Sequence, residues 1–461
     1  MFKDNFNGKL HFIGIGGIGM SGIAEVLLSF GYNVSGSDIS ESANVARLRE
    51  LGAEIFIGHA KENVKEASVI IYSSAVTDEN PEMIGAREKN LPVMRRAEML
   101  AELMRLKYGL AIAGTHGKTT TTSFLATILQ SSNYDPTYII GGIVKNLNGH
   151  AKVGKGEFLV AEADESDGSF LLLNPIMSVV TNIDLDHMDH YGSEENLINS
   201  FEQFINKVPF YGLCALNAHD ERLMNIVKRI KKPFCTFGIG DELDNPADFE
   251  ARNITMTDFQ ATYDLYIKGD KKTQITINLP GKHNVLNSLG AIAVATRMGI
   301  SVETIAQSIR EFDGVGRRFQ QLYKNEEVEI IDDYGHHPTE ISMTLKTLRE
   351  TRKGKVVCIF EPHRYTRTRD CWNQFLHCFN YVDKLYIAPI YAASEKPIAG
   401  IESEILVNDI NKLHPNFAVA MGSLEDLDQV IKENKNSTIA TLGAGSIGKK
   451  IREWVLDNEV R

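Results

Sequence analysis

Two apolar strands of this chain run straight into glycines and then into a helix. The first reads KLHFIGIGGIGMSGIAEVLL and the second YGLAIAGTHGKTTTTSFLATILQ. Glycines let the chain turn sharply at the strand end, and continuous apolar strands separated by helices indicate a parallel sheet covered on both faces. The alternation recurs. YNVSGSD, ASVIIYSSAV and LPVMRRAEMLAELMR complete a first unit that ends near Lys107.

A second unit opens at YGLAIAGT and carries GEFLVAEADESD and IMSVVTNIDLDHMDHYG. Its stretch DFQATYDLYIKGDKKTQITINLP alternates like a hairpin about KGDK, and GKHNVLNSLGAIAVATRMG follows as a helix capped at His283 or Asn284. Glycines and charges in FDGVGRRF mark the next boundary. The last unit starts at VEIIDDYG and continues with KVVCIFEP, KLYIAPIY and TIATLGAGSIG, a third parallel sheet. An α/β chain of 461 residues with domains at 1–107, 108–313 and 314–461 is expected, near the usual domain size of roughly 150 residues.

Composition narrows the function. A formal charge of −11 argues against a nucleic-acid binder, which would carry a basic face. The N-terminus MFKDNFNGKL has no apolar signal-peptide core, and no apolar run approaches the roughly 20 residues of a membrane helix. Cys214, Cys235, Cys358, Cys371 and Cys378 are odd in number and form no C-x-x-C, which fits buried, reduced thiols in a cytoplasm.

Gly14, Gly16 and Gly19 satisfy G-x-G-x-x-G, and Asp38 ends the next strand. Such glycines admit a diphosphate to the backbone, and the helix N-terminus adds partial positive charge. A nicotinamide dinucleotide and a UDP-linked ligand offer the same groups, and the motif does not choose between them.

The second loop, Gly114-Thr115-His116-Gly117-Lys118-Thr119, has two residues between its glycines where the usual nucleotide loop has four. Backbone N–H groups from Gly114 to Thr120 are expected to face phosphates, with Lys118 on the β- and γ-oxygens and the Thr119 hydroxyl on Mg²⁺. EADESD offers Glu162, Asp164, Glu165 and Asp167 past one apolar strand, and DLDHMDHYG offers Asp186, His187, Asp189 and His190 past another. Ligands collect at the carboxyl ends of parallel strands, so both clusters are candidate metal sites.

Eight blocks in order resemble the Mur ligase family of peptidoglycan assembly: HFIGIGGIGMSGIA, AGTHGKTTTT, EADESD, NIDLDHMDHYG, GKHNVLNSLGAIAVA, GVGRRF, DDYGHHPTEI and FEPHRYTRTRD. The resemblance covers nearly the whole chain. It implies an N-terminal Rossmann-like domain for a UDP-sugar, a central P-loop ATPase domain with a mixed sheet, and a C-terminal Rossmann-like domain. It further implies the branch that joins L-alanine to UDP-N-acetylmuramic acid through an acyl phosphate, using ATP and two Mg²⁺ sites. The first loop would then hold the substrate's diphosphate and the second the triphosphate of ATP. A nicotinamide oxidoreductase would leave the second loop unexplained.

Carried over by motif, Lys118 bridges the transferring phosphate, and Thr119 with Glu162 holds the first metal, Glu165 being the next choice. His187 matches the ligand of the second metal; His190 has no match and reads as a surface residue. His283 and Asn284 resemble adenine contacts, while Arg318 and Asp332 resemble residues that reach the nucleotide from the third domain, which makes closure a requirement. His336 and His337, with His363, Arg364 and Arg367, are expected to hold two anionic groups and an amino-acid carboxylate, for which the planar arginine fork is suited, and Tyr334 and Arg367 to frame the alanine or the new acyl phosphate. Gly14, Gly16, Gly17, Gly19, Met20 and Ser21 are expected at the diphosphate, and Asp38, Ser73, Ser74 and Ala75 at the uridine. Lys207 lies in the region of a carbamylated lysine of other members, which this branch lacks, and reads as a surface lysine.

The nearest rival is a recycling ligase acting on a preformed tripeptide; its first loop reads G-T-F-M-G and it lacks HRYTRT. A non-catalytic nucleotide switch needs neither the second cradle nor the His/Arg cluster of the last unit. A monomer or weak homodimer is expected.

Overall fold

The apolar run Lys9–Ile13 (β1) is the middle of a five-stranded sheet in the computed structural model, which describes residues 6–73, 75–144, 147 and 149–459. Its partners are Asn33–Asp38 (β2), Glu54–Ile57 (β3), Ala67–Tyr72 (β4) and Val93–Arg95 (β5). The order is β3-β2-β1-β4-β5, with every pair parallel. Strand order reverses between β1 and β4, so their carboxyl ends form the switch point at which such sheets bind ligands. The sequence reading does not anticipate β3. Its apolar run, Ile55 to Ile57, is only three residues long and lies at the sheet edge with no residue of β3 fully buried.

Ten strands form the central sheet: Tyr108–Ala113 (β6), Thr137–Val144 (β7), Gly149–Lys152 (β8), Phe158–Glu162 (β9), Met177–Val180 (β10), Leu213–Asn217 (β11), Phe234–Ile239 (β12), Phe249–Met256 (β13), Ala261–Ile267 (β14) and Asp270–Ile277 (β15). Their order is β15-β14-β13-β12-β11-β10-β6-β9-β7-β8. Pairing is parallel from β12 through to β7 and antiparallel between β7 and β8, so the sheet is mixed, as expected. β14 and β15 flank the turn at Lys268 and Gly269, the hairpin read at KGDK.

The third sheet comprises Gln320–Lys324 (β16), Val328–Asp333 (β17), Lys355–Phe360 (β18), Lys384–Ile387 (β19), Ala418–Ala420 (β20) and Ser437–Leu442 (β21), in the order β16-β17-β21-β18-β19-β20. It is not wholly parallel. β16 precedes the expected first strand and pairs antiparallel with β17; its half-exposed edge position removes the apolar run that would have signalled it. Because β21 lies between β17 and β18 and all three run parallel, the loops that follow them emerge at one edge.

The chain divides into two units, residues 1–254 with 263–276 and 285–313, and residues 255–262 with 277–284 and 314–461. In the first, one apolar cluster runs from Phe12, Ile23 and Leu27 through Met99, Leu100 and Leu103 to Phe170, Phe201 and Phe204. The Phe170 ring lies 5.2 Å from Phe201 and 5.1 Å from Phe204, and aromatic pairs at such distances add about 1 kcal/mol each beyond area burial. The second unit packs around Phe360, Phe375 and Phe379. All five cysteines are buried and free, and burial pushes the Cys214 thiol up to about 12. No helix among the described residues is long and apolar enough to cross a membrane.

Candidate active site

β6 ends at Ala113, and the loop from Gly114 to Gly117 turns into the helix Lys118–Ser131. Two glycines make that turn. At Gly114 φ is +127° and a Cβ would lie 2.1 Å from Thr181 Oγ1; at Gly117 φ is +84° and a Cβ would lie 2.3 Å from Asn287 Oδ1. Only glycine meets both conditions. The helix has no side-chain cap, and the Thr121 N–H donates to Gly117 O, so the amides of Lys118, Thr119 and Thr120 precede the helical ladder.

The amides in the first half of the loop have partners within the protein. The Thr115 N–H donates to Asn182 O (3.1 Å) and the His116 N–H to Asn182 Oδ1 (2.8 Å). His116 Nε2 lies 3.1 Å from Asp184 Oδ2, and the Asp184 N–H donates to Thr115 Oγ1. Thr115 and His116 therefore bind the loop to the segment after β10, and donors for an anion come from the helix start.

Lys118 Nζ donates to Gly114 O (2.7 Å) and lies 2.9 and 2.7 Å from the two oxygens of Glu165. Burial opposes the lysine charge, but the carboxylates of Glu165, Asp164 and Glu162 outweigh it and raise the Lys118 pKa. Burial pushes Glu165 up to about 7. The two glutamates of EADESD divide their contacts. Glu165 meets Lys118, whereas Glu162 accepts from Thr119 Oγ1 (3.1 Å) and from the Gly141 N–H of β7 (2.6 Å). Hydroxyl and carboxylate oxygens at this separation are the hard donors that Mg²⁺ takes, so the Thr119–Glu162 pair fits that ion. Asp164 accepts from Arg96 Nη2 (2.9 Å).

His187 has φ +56° and precedes the short helix Met188–Tyr191, with its Nε2 3.5 Å from Asp186 Oδ2. His190 is exposed. Lys207 follows the helix Glu194–Ile205, which returns the chain to the start of β11, so it stands at the opposite sheet edge from the Gly114–Thr119 loop.

In the first loop, the Gly16 N–H donates to Asp38 Oδ2 (2.8 Å), and the Ser40 N–H donates to Asp38 Oδ1 (3.4 Å). A Cβ on Gly16 would lie 2.9 Å from that first oxygen. Asp38 thus braces the loop through Oδ2 and its own turn through Oδ1. Ser73 stands beside Gly14, where a Cβ would lie 3.1 Å from its Oγ; Ala75 is exposed and Ser74 falls outside the described residues. Gly17 precedes the helix Ile18–Ser29, and a Cβ on Gly19 would lie 3.1 Å from Arg96 Nη1. The Met20 side chain is 2% exposed and belongs to the apolar core, and Ser21 Oγ donates to Ile18 O and meets His150 Nε2 of β8 at 3.1 Å.

In the second unit, Tyr334, His336, His363 and Tyr391 follow one another as rings with centroids 5.5, 5.9 and 5.4 Å apart. Arg367 Nη1 lies 3.4 Å from His363 Nδ1. Burial pushes His336 down to about 3 and His363 down to about 4, with the Arg367 charge lowering both further. Both imidazoles are therefore neutral at pH 7. Positive charge in this group rests with the arginines. The Arg364 guanidinium donates to Glu395 Oε1 (2.6 Å) from a residue at φ +73°. His337 begins the helix Pro338–Thr351 as its cap.

Asp332 is fully buried, 3.3 Å from Arg317 Nε and 3.0 Å from Arg452 Nη2. Its carboxylate is engaged by two arginines of its own unit. Arg317 and Arg318 pack over the Tyr334 ring at 5.0 and 5.2 Å, and Arg318 lies 3.8 Å from Glu340. Asn284 sits inside the helix Lys282–Arg297, not before it, and its side chain donates to Pro280 O. His283 is half-buried one residue earlier, and burial with the nearby Arg318 charge pushes it down to about 4.

Family models match the chain in three successive stretches: the Mur ligase family catalytic domain over residues 9–108, the Mur ligase middle domain over 112–295, and the Mur ligase glutamate ligase domain over 317–445. The chain belongs to the Mur ligase family. A UDP-N-acetylmuramate–L-alanine ligase of Trichlorobacter lovleyi is 48% identical over 445 residues, 95% of this chain and 96% of that protein. The crystal structure of a UDP-N-acetylmuramate–alanine ligase from Thermotoga maritima superposes with TM-score 0.83 at 29% identity, covering 98% of this chain and 99% of that one. A murein peptide ligase from Psychrobacter arcticus shares the fold, with TM-score 0.73 at 22% identity and coverage of 98% and 99%.

This Mur ligase has features that the sequence reading missed. Asn182, Asp184 and Asn287 fix the shortened loop but sit in unremarked polar positions. A second G-x-G-x-x-G, Gly443 to Gly448, follows β21 and opens the helix Ile447–Glu459. Its Ser446 Oγ donates to Glu361 Oε1 (2.6 Å), and a Cβ on Gly445 would lie 2.5 Å from Glu361 Oε2. That signal was present in the sequence.

Proposed function

We propose that this Mur ligase joins L-alanine to the lactyl carboxylate of UDP-N-acetylmuramic acid in the cytoplasm, converting ATP to ADP and phosphate. The observation that carries the reading is the near end-to-end match to an L-alanine ligase, 48% identical over 95% of the chain. The two glycine loops support it, since one ligand brings a diphosphate and the other a triphosphate. On this reading residues 1–107 take the UDP-sugar, 108–313 take ATP, and 314–461 take L-alanine and close on the nucleotide.

A carboxylate oxygen attacks the γ-phosphorus, the bond to the β-phosphate oxygen breaks, and ADP leaves. The alanine nitrogen then attacks the acyl carbon, and phosphate departs as the amide forms. The protein's work in such a transfer is positioning and charge neutralisation. Lys118 and the amides of Thr119 and Thr120 neutralise the phosphates. Mg²⁺ would be held by Thr119 and Glu162 at one site and His187 at a second, and it offsets repulsion between carboxylate and triphosphate. Tyr334 and Arg367 frame the alanine, with the planar arginine fork on its carboxylate.

Phosphate release is the test, measured with ATP, Mg²⁺ and UDP-N-acetylmuramic acid, with L-alanine or the tripeptide in separate reactions. Turnover with L-alanine alone is expected. Turnover with only the tripeptide would make this the recycling ligase, and release without either acceptor would indicate a nucleotide switch.

A further inference from the structure

At the amino edge of the central sheet, two aromatic rings stand out from a basic surface. Phe210 and Tyr211, between the helix Glu194–Ile205 and β11, are 84% and 54% exposed, their rings perpendicular at 5.2 Å. Phe234 begins β12 beside them: Cys214, three residues past Tyr211, pairs with Phe234 and donates its N–H to Pro233 O. Phe234 is itself exposed. Isolated exposed rings are ordinary, but three gathered at one edge are not.

The surrounding charge is one-sided. Arg297 donates to Tyr211 O (3.0 Å), and the Lys231 N–H donates to Asn206 Oδ1 (2.8 Å), beside Lys207. Lys228, Arg229 and Lys232 complete the set, with Arg229 Nε 3.1 Å from Glu202. Residues 202–212, 228–234 and Arg297 thus hold six cations (Lys207, Lys228, Arg229, Lys231, Lys232 and Arg297) against Glu202, with Asp248 the carboxylate beside the start of β12, in a chain whose net charge is −11.

We propose that this edge rests on an anionic phospholipid surface, with Phe210 and Tyr211 in the interface and the cations at the headgroup phosphates. Aromatic rings with polar neighbours favour the membrane–water interface. Each lysine or arginine near an anionic bilayer strengthens binding roughly fivefold. A side chain as exposed as Phe210 stands out from the surface and lines no groove, so the charge pattern fits a planar partner better than the shaped surface of an acidic protein. The Gly114–Thr119 loop is at the opposite, carboxyl edge of the same sheet, so docking would leave it facing water.

The test is sedimentation of the full chain with phosphatidylcholine vesicles, with and without phosphatidylglycerol. Binding is expected only to the mixed vesicles and is lost at high salt. F210A/Y211A and K228E/K231E/K232E should each lower the bound fraction at least roughly fivefold. Phosphate release in solution should stay unchanged in both, which also shows that they fold; if the charge variant fails to fold, the ring variant decides. Absence of binding, or equal binding by the folded variants, overturns the proposal. So does wild-type capture by an acidic polypeptide or by DNA that F210A/Y211A leaves undiminished, since that edge would then bind a macromolecular polyanion through charge alone.

Discussion

Ser21 Oγ lies 3.1 Å from His150 Nε2, both side chains being buried, and this contact ties the first glycine helix to β8 of the central sheet. β8 pairs with β7, the Gly141 N–H of β7 holds Glu162, and Glu162 accepts from Thr119. The two glycine loops are therefore joined by a continuous series of contacts within one unit.

Removing the imidazole should loosen one end of that series. A single buried hydrogen bond is worth about 1 kcal/mol, so His150→Ala is expected to raise the KM for UDP-N-acetylmuramic acid about fivefold and leave the KM for ATP unchanged. Steady-state kinetics with each substrate varied would check this, and equal changes in both constants would contradict it.

Gly117→Ala is expected to abolish ATP binding by calorimetry, because both φ and the Asn287 side chain exclude a Cβ. Gly52→Ala is the control. Its φ is +99° but nothing lies within 4 Å of the added carbon, so it should cost about 1 kcal/mol of stability and leave turnover intact.

Lys118→Met should lower kcat by at least roughly a hundredfold and, by stranding Glu165, cost about 3–5 kcal/mol in a denaturant melt. Adding Glu165→Gln should restore much of the stability and none of the turnover. Recovery of both would deny Lys118 a part in the reaction.

Acid should weaken the second unit. His336 and His363 have folded pKa values of about 3 and about 4, below the ordinary 6.5, so the folded state resists protonation. Their contribution is complete above pH 6.5 and is lost as pH falls toward 4. Thermal melts across that range should show a shallower slope for H336N/H363N than for the wild type.

The two arginines of HRYTRT should separate. Arg367 lies against His363, whereas Arg364 is engaged with Glu395. Arg367→Ala is therefore expected to raise the KM for L-alanine roughly tenfold or more, and Arg364→Ala to act mainly on stability. Kinetics and melts on both variants distinguish them.

Much of this was legible in the chain because glycine and apolar runs are local signals. The strand–glycine–helix stretches at Gly14 and Gly114 fold as read, as does the turn at Lys268 and Gly269. What escaped depends on tertiary context. β3 and β16 are edge strands with few buried residues. The contacts of Asp38 with its loop, of Asp332 with two arginines and of Met20 with the core are written in no motif. Neutrality of His336 and His363 arises from burial, which no motif encodes. The Gly443–Gly448 loop is a local glycine signal of the same kind.

The most direct test of the account is to label the lactyl carboxylate of UDP-N-acetylmuramic acid with ¹⁸O and follow the isotope through one round of synthesis with L-alanine. The account predicts one labelled oxygen in the released phosphate, detected by mass spectrometry, and formation of ADP. Unlabelled phosphate, or label appearing in AMP, would contradict transfer of the γ-phosphoryl group to the carboxylate.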